Sequence, residues 1–274
     1  MPRWTIDEPT TLDFDGVVTL RTTLIAGTVS VLASDERPSV MVSEVEGPPL
    51  VIAHEAGMLT ITHDRLLEGV LSWLRTRNAR AAITVTVPHD CPVTVNLVSA
   101  DAVITGLTAR TSIKCASGGI TLDGVTGAVD ANTVSGDIEA QGLDGTVSFT
   151  SVSGDLALAG GVVEQLTART VSGRIAADVD LVGDGRVEVN TVSGEVALRI
   201  PESAGARVTL NAAAGRIETS FPELGRTDRA VATTVSGKIG DGSGRLSVNS
   251  VSGSITLLGR DDEAPEISTP RMEK

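Results

Sequence analysis

The sequence predicts an all-β protein: a single-stranded, parallel, right-handed β-helix-like solenoid of about nine short coils under a β-rich N-terminal cap. Three observations lead there. A motif of five small residues returns nine times, as "NLVSA" 96–100, "KCASG" 114–118, "NTVSG" 132–136, "TSVSG" 150–154, "RTVSG" 169–173, "NTVSG" 190–194, "NAAAG" 211–215, "TTVSG" 233–237 and "NSVSG" 249–253. Between copies, β-branched and polar residues alternate in short runs bounded by Gly/Asp corners such as "LDGV" 122–125 and "GDGR" 183–186, the pattern of strands and turns. Only five aromatic residues occur in 274, so Val, Thr, Ala, Ile and Leu must fill a thin, layered core. A unit of about 19 residues cannot bury its own apolar face, so units must stack, roughly 4.8 Å apart in parallel pairing. The right-handed winding follows the rule for parallel crossovers. An antiparallel β-sandwich is the alternative; it explains the strands but not the regular return of the motif.

Taken in order, residues 1–94 form the cap. Strand patterns run through "GVVTLRTTL" 16–24, "GTVSVLA" 27–33, "SVMVSEV" 39–45, "LVIAHE" 50–55, "MLTITHD" 58–64 and "AAITVTVP" 81–88. Leu66, Leu67, Val70, Leu71 and Leu74 have helical spacing, which predicts a short helix at 65–78. Residues 95–259 form the solenoid. In each motif the valine is expected to turn inward, and the column of Val98, Ala116, Val134, Val152, Val171, Val192, Ala213, Val235 and Val251 to line the core. Gly136, Gly154, Gly173, Gly194, Gly237 and Gly253 make the bend or admit a neighbouring coil. A second apolar column follows one residue after each motif, at Ala102, Ile120, Ile138, Leu156, Ile175, Val196, Ile217, Ile239 and Ile255. Asn96, Asn132, Asn190, Asn211 and Asn249 can bond the local backbone or each other across coils. The residue after the glycine alternates in sign from Asp155 through Arg174 and Glu195 to Arg216, which predicts an exposed column pairing between coils. The tail, 260–274, has little apolar content and is expected to be disordered and acidic.

Function is less legible. A net charge of −13 repels phosphate backbones and anionic lipid, so neither nucleic-acid binding nor membrane insertion is expected, and no apolar stretch is long enough to span a bilayer. The N-terminus lacks an apolar leader, which makes the cytoplasm the expected location. Cys91 and Cys115 lack metal-site spacing and read as small core residues. His54 and His63 fall in adjacent strands and could meet as a metal pair, while His89 stands apart; single polar residues on strand faces are the commoner case, and no metal or cofactor is expected. "GDG" 183–185 and "GDGSG" 240–244 resemble ion or phosphate loops only superficially and read as surface turns. Asp137 and Asp155 lie on successive coils, a spacing that could suit paired catalytic carboxylates.

"TVSGDI" 133–138 and "SVSGDL" 151–156, preceded by a "VPxxxP" stretch at Val87, Pro88 and Pro92, resemble the bacterial "putative adhesin" family of β-strand-repeat proteins, with the match spanning about 95–258. That resemblance implies a β-helix-like stack, a surface role, and no established catalytic residues. The sequence therefore points to a non-enzymatic structural or protein-interaction module, an acidic rod whose protein partner and oligomeric state it does not specify. The alternative is a β-helix protein that binds or cleaves polysaccharide. A functional site is expected where the motif fails, at "KCASG" 114–118, at "NAAAG" 211–215, or within the first ninety residues.

Overall fold

Alternating β-branched and polar residues between Gly- and Asp-bearing corners fold into strands throughout the chain. A computed structural model describes residues 2–63, 79–229 and 232–261, and contains no helix among them. The expected helix at 65–78 and residues 262–274 of the tail lie outside the described residues; Arg260 closes the final strand.

The N-terminal strands are β1 (Arg3–Ile6), β2 (Thr10–Asp13), β3 (Thr19–Ala33), β4 (Ser39–Glu46), β5 (Leu50–Glu55), β6 (Met58–His63) and β7 (Arg80–Val87). Next come β8 (Val93–Thr105), β9 (Thr111–Cys115), β10 (Ile120–Asp123), β11 (Thr126–Thr133), β12 (Ile138–Thr150), β13 (Leu156–Thr170) and β14 (Ile175–Thr191). The last are β15 (Val196–Pro201), β16 (Ala206–Ala212), β17 (Ile217–Thr219), β18 (Gly225–Arg229), β19 (Ala232–Ile239), β20 (Gly244–Ser250) and β21 (Ile255–Arg260).

Two ladders result, joined by long strands that bend from one into the other. The first runs β1, β5, β6, β3, β8, β9, β11, β12, β13, β14, β20, β16, β19, β18. The second runs β2, β4, β7, β3, β8, β10, β12, β13, β14, β15, β21, β17. The centre of each ladder is parallel; antiparallel strands flank the first at both ends and the second at its β2–β4–β7 end. Each central rung therefore passes through the first ladder, turns at the five-residue motif, and returns through the second. β8 pairs with β3 along nearly its whole length, so the parallel stack extends N-terminally across residue 94 without a break.

The core lies between the ladders. Val147, Phe149, Leu166, Ala168, Val187 and Val189 point in from the first, and Ile138, Leu156, Ile175 and Val196 from the second. The column after the motif is buried at every position expected of it, from Ala102 to Ile255.

Three expectations change. The valine column does not face the core: Val98, Val134, Val152, Val171, Val192 and Val251 are 46–54% exposed. The inward residue is the one before it, giving the column Leu97, Cys115, Thr133, Ser151, Thr170, Thr191, Ala212 and Ser250. Next, "TTVSG" 233–237 is not a corner at all. It lies within β19, antiparallel to both β16 and β18, where Val235 is buried opposite Leu210 and Gly237 is mid-strand. Finally, rung order departs from chain order, because β20 and β21, the last to appear in the sequence, sit between β14 and β16 and between β15 and β17. This breaks the predicted charge column, since Ser254 stands between Glu195 and Arg216.

Candidate functional site

Five of the eight corners are built the same way, and their chemistry explains why their valine faces out. The inward Thr or Ser bends its hydroxyl back to accept the amide of the motif glycine. These bonds are Gly136 to Thr133 at 3.0 Å, Gly154 to Ser151 at 2.9 Å, Gly173 to Thr170 at 3.1 Å, Gly194 to Thr191 at 2.9 Å and Gly253 to Ser250 at 2.8 Å. At these five corners the inward hydroxyl satisfies the buried glycine amide, a task valine cannot perform. The motif serine uses both its amide and its hydroxyl on one carbonyl of the rung below, as Ser153 does on Val134 and Ser193 on Val171. With these bonds made, the valine between them has no partner within the corner and stands in solvent.

The glycines are required by proximity rather than by backbone angle. A Cβ on Gly154 would lie 1.9 Å from the carbonyl oxygen of Gly136, and one on Gly136 would lie 1.8 Å from that of Gly118. Neither is among the glycines with positive φ.

The stacked corners form a ridge. In spatial order it reads Val98, Ala116, Val134, Val152, Val171, Val192, Val251, Ala213. On one flank stands the first motif position, where Asn249 donates to Asn190 and Asn211 donates to Asn249, both at 3.0 Å, and Thr234 donates to Asn211 at 3.1 Å. On the other flank stands the residue after the glycine, exposed at nearly every rung, with Arg174 3.4 Å from Glu195. Two shallow grooves border the ridge. One, of about 340 Å³, is lined by Asn96, Lys114, Ala116, Asn132 and Val134. The other, of about 450 Å³, is lined by Asn190, Asn211, Ala213, Thr234, Asn249 and Val251. Each includes a corner where alanine replaces the valine, so the two irregular motifs singled out in the sequence are notches in the ridge.

The remaining candidates separate. Asp137 and Asp155 lie on adjacent rungs, but each carboxylate accepts the backbone amide of the next rung, from Asp155 and Arg174 respectively, both at 2.8 Å. They act as ladder bonds. His54 and His63 do not converge: His54 pairs with Leu59 and His63 with Leu50 across the β5–β6 hairpin, roughly 13 Å apart along the strand. His54 instead packs edge-on against Phe14. His63 is buried, and desolvation holds its pKa below the ordinary value. His89 Nδ1 donates to the Gly106 carbonyl, 2.8 Å away. Among the described residues no group of three or more His, Cys, Asp or Glu side chains is placed to hold a metal ion. Cys91 and Cys115 are free and buried, and burial first, then the Asp90 charge, pushes the Cys91 thiol up to about 11. The "GDGSG" loop is a local turn in which Asp241 accepts from the Ser243 amide at 3.0 Å. Ser243 also donates to Gly183 at 2.8 Å, joining the two Gly-Asp corners. One cluster escapes sequence reading. Arg199 binds Asp178 from the neighbouring rung β15, and Arg260, on the inserted β21, reaches past β15 to bind both Asp178 and Asp180.

No helix of the described residues is long and apolar enough to cross a membrane. The architecture is that of a strand-repeat domain with a parallel core, flanking antiparallel strands and a repetitive outer surface. The chain belongs to the Toastrack DUF4097 family, whose model matches residues 48–258. No curated protein matches it. Among solved structures it is similar to a "putative lipid binding protein" from Parabacteroides distasonis ATCC 8503, at 20% identity and a TM-score of 0.54, over 91% of this chain and 96% of that one. It is also similar to a "putative adhesin" from Bacteroides fragilis NCTC 9343, at 9% identity and a TM-score of 0.40, over 91% and 97% of the two chains. A "putative cell adhesion protein" from Clostridium sporogenes ATCC 15579 aligns at 14% identity and a TM-score of 0.27, over 92% and 99%. At such identities the likeness concerns the fold, and the first of the three carries it.

Proposed function

We propose that the chain is a non-enzymatic structural and protein-interaction module: a right-handed, single-stranded β-solenoid rod that presents the corner ridge to a protein partner. The observation that carries this reading is the exposure of an aliphatic side chain at six of the eight stacked corners. At five of the six, the corner bonds are made by the Thr or Ser, the Ser and the Gly around the valine rather than by the valine itself. Apolar surface repeated along one edge without a folding role marks a contact surface. The carboxylates that a glycoside hydrolase would need are engaged in backbone bonds on the other flank, which favours interaction over catalysis.

The test compares capture of proteins from native cells by the wild-type chain and by Val152→Ser/Val171→Ser/Val192→Ser. The proposal expects specific partners to be lost from the variant. Identical capture by both would remove the ridge from the function, and cleavage of any member of a polysaccharide panel would replace the proposal with the enzymatic alternative.

A further inference from the structure

The ridge is complementary to itself when reversed, and from this we propose that two copies of the chain associate ridge to ridge, antiparallel, about a two-fold axis between Val152 and Val171. The proposal rests on the ridge being the interaction surface and names its occupant.

The argument is one of register. A two-fold axis at that point sets the first rung of one copy against the eighth of the other, the second against the seventh, and so on. Val98 then faces the Ala213 notch and Val251 faces the Ala116 notch, so each gap receives a knob. Val134 meets Val192, and Val152 meets Val171. Such a two-fold axis keeps each flank against its own kind. In the column after the glycine, Asp155 meets Arg174 and Asp101 meets Arg216, each twice by symmetry. One like-charged contact, Asp137 with Glu195, remains, and Arg174 already neutralises Glu195 from 3.4 Å. In the first motif position no two charges meet: Lys114 faces Asn249 and Arg169 faces Thr150.

Neighbouring registers fail on the same terms. A slip of one rung in one direction brings Asp155 against its own copy; a slip in the other brings Arg174 against its own copy and Ala116 against Ala213, gap on gap. A parallel arrangement sets Ala116 against Ala116 and Arg169 against Arg174. Specificity thus comes from repulsion as well as fit. Eight rungs span roughly 35 Å at strand spacing. A standard interface of about 800 Å² per partner then requires a strip about 23 Å wide, so both flanking columns are included and the valines alone fall short. The association is accordingly concentration-dependent rather than permanent.

The experiment uses the full chain carrying Ala116→Cys and Val251→Cys. Within one copy these positions are five rungs, or about 24 Å, apart, far beyond the roughly 4.4–6.8 Å between Cα atoms that a disulfide spans. A disulfide between them can form only between copies, and the native cysteines are buried. Mild oxidation should convert most of the double variant to covalent dimer while Ala116→Cys alone stays monomeric. Sedimentation of the unmodified chain should show a monomer–dimer equilibrium weakened at least tenfold by Val152→Ser/Val171→Ser. A chain that stays monomeric at millimolar concentration, or an Ala116→Cys single variant that cross-links as fully as the double, overturns the proposal. If the chain stays monomeric but still loses captured partners in the serine variants, the interaction reading survives and self-association alone is refuted.

Discussion

Gly154→Ala tests how tightly the rungs are locked together. The new Cβ would sit 1.9 Å from the Gly136 carbonyl oxygen and 2.6 Å from its carbon, both backbone atoms, whereas ordinary contact needs about 3.4 Å or more. The corner must therefore rise by more than 1 Å, yet it is held on each side. Ser153 donates to Val134 at 3.0 Å, the Asp155 amide to Asp137 at 2.8 Å, and Ser172 to Val152 at 3.0 Å, while the Gly154 amide is held by Ser151 at 2.9 Å. Loss of two or three of these, at about 1 kcal/mol each, together with the strain of overpacking, gives a destabilisation of roughly 3 kcal/mol. Gly160→Ala is the control. It has open space around it but a φ of +61°, so only the left-handed penalty of about 1–2 kcal/mol applies. Urea unfolding followed by far-ultraviolet circular dichroism measures both. A Gly154→Ala variant within about 0.5 kcal/mol of wild type, or one less affected than Gly160→Ala, would refute the claim that the corner glycines serve close approach.

Val171→Asp should change stability by no more than about 0.5 kcal/mol in the same assay, because the side chain is 46% exposed; a loss of several kcal/mol would return the valines to the core. Thr170→Val, isosteric but without the hydroxyl, should cost about 1–3 kcal/mol by leaving the buried Gly173 amide without its acceptor. Stability should also fall in acid. The native state keeps His63 neutral below its ordinary pKa while the unfolded chain takes up a proton near pH 6.5, so stability is full above that value and declines below it. The slope is at most about 1.4 kcal/mol per pH unit until the lowered native pKa is reached. His63→Phe should abolish that part of a pH titration of unfolding free energy.

Strand content, the parallel stacking of units and the buried column running from Ala102 to Ile255 were legible because period-2 alternation and the motif spacing report them directly. The valine's outward direction was not. Hydrophobicity favoured Val as the inward residue, but at five corners the deciding term is a buried glycine amide that a neighbouring hydroxyl satisfies and a valine cannot. Read for that amide, the Thr or Ser before five of the six ridge valines was the available signal. The second failure is instructive in another way. "TTVSG" 233–237 and "NTVSG" 190–194 differ by one residue, yet one is mid-strand and the other a corner. Five residues do not set their own conformation when a neighbouring strand, here β16, runs antiparallel to them. The two motifs that break the pattern, 114–118 and 211–215, border the two shallow grooves, since alanine there replaces the exposed valine. The Arg260–Asp178 contact spans 82 residues and depends on an insertion that no local pattern encodes.

The insertion of β20 and β21 separates the order of the chain from the order of the stack. In an array laid down in order, the terminal repeat has one open edge, frays first, and can be assembled as synthesis proceeds. Here β20 and β21 are hydrogen-bonded on both edges, clasped between strands made earlier. The strand holding Asn211 meets that holding Asn190 only through Asn249, a segment 59 residues beyond Asn190 that leaves the ribosome after both. Assembly of the rungs holding Asn190 and Asn211 is thereby tied to a strand made after both of them.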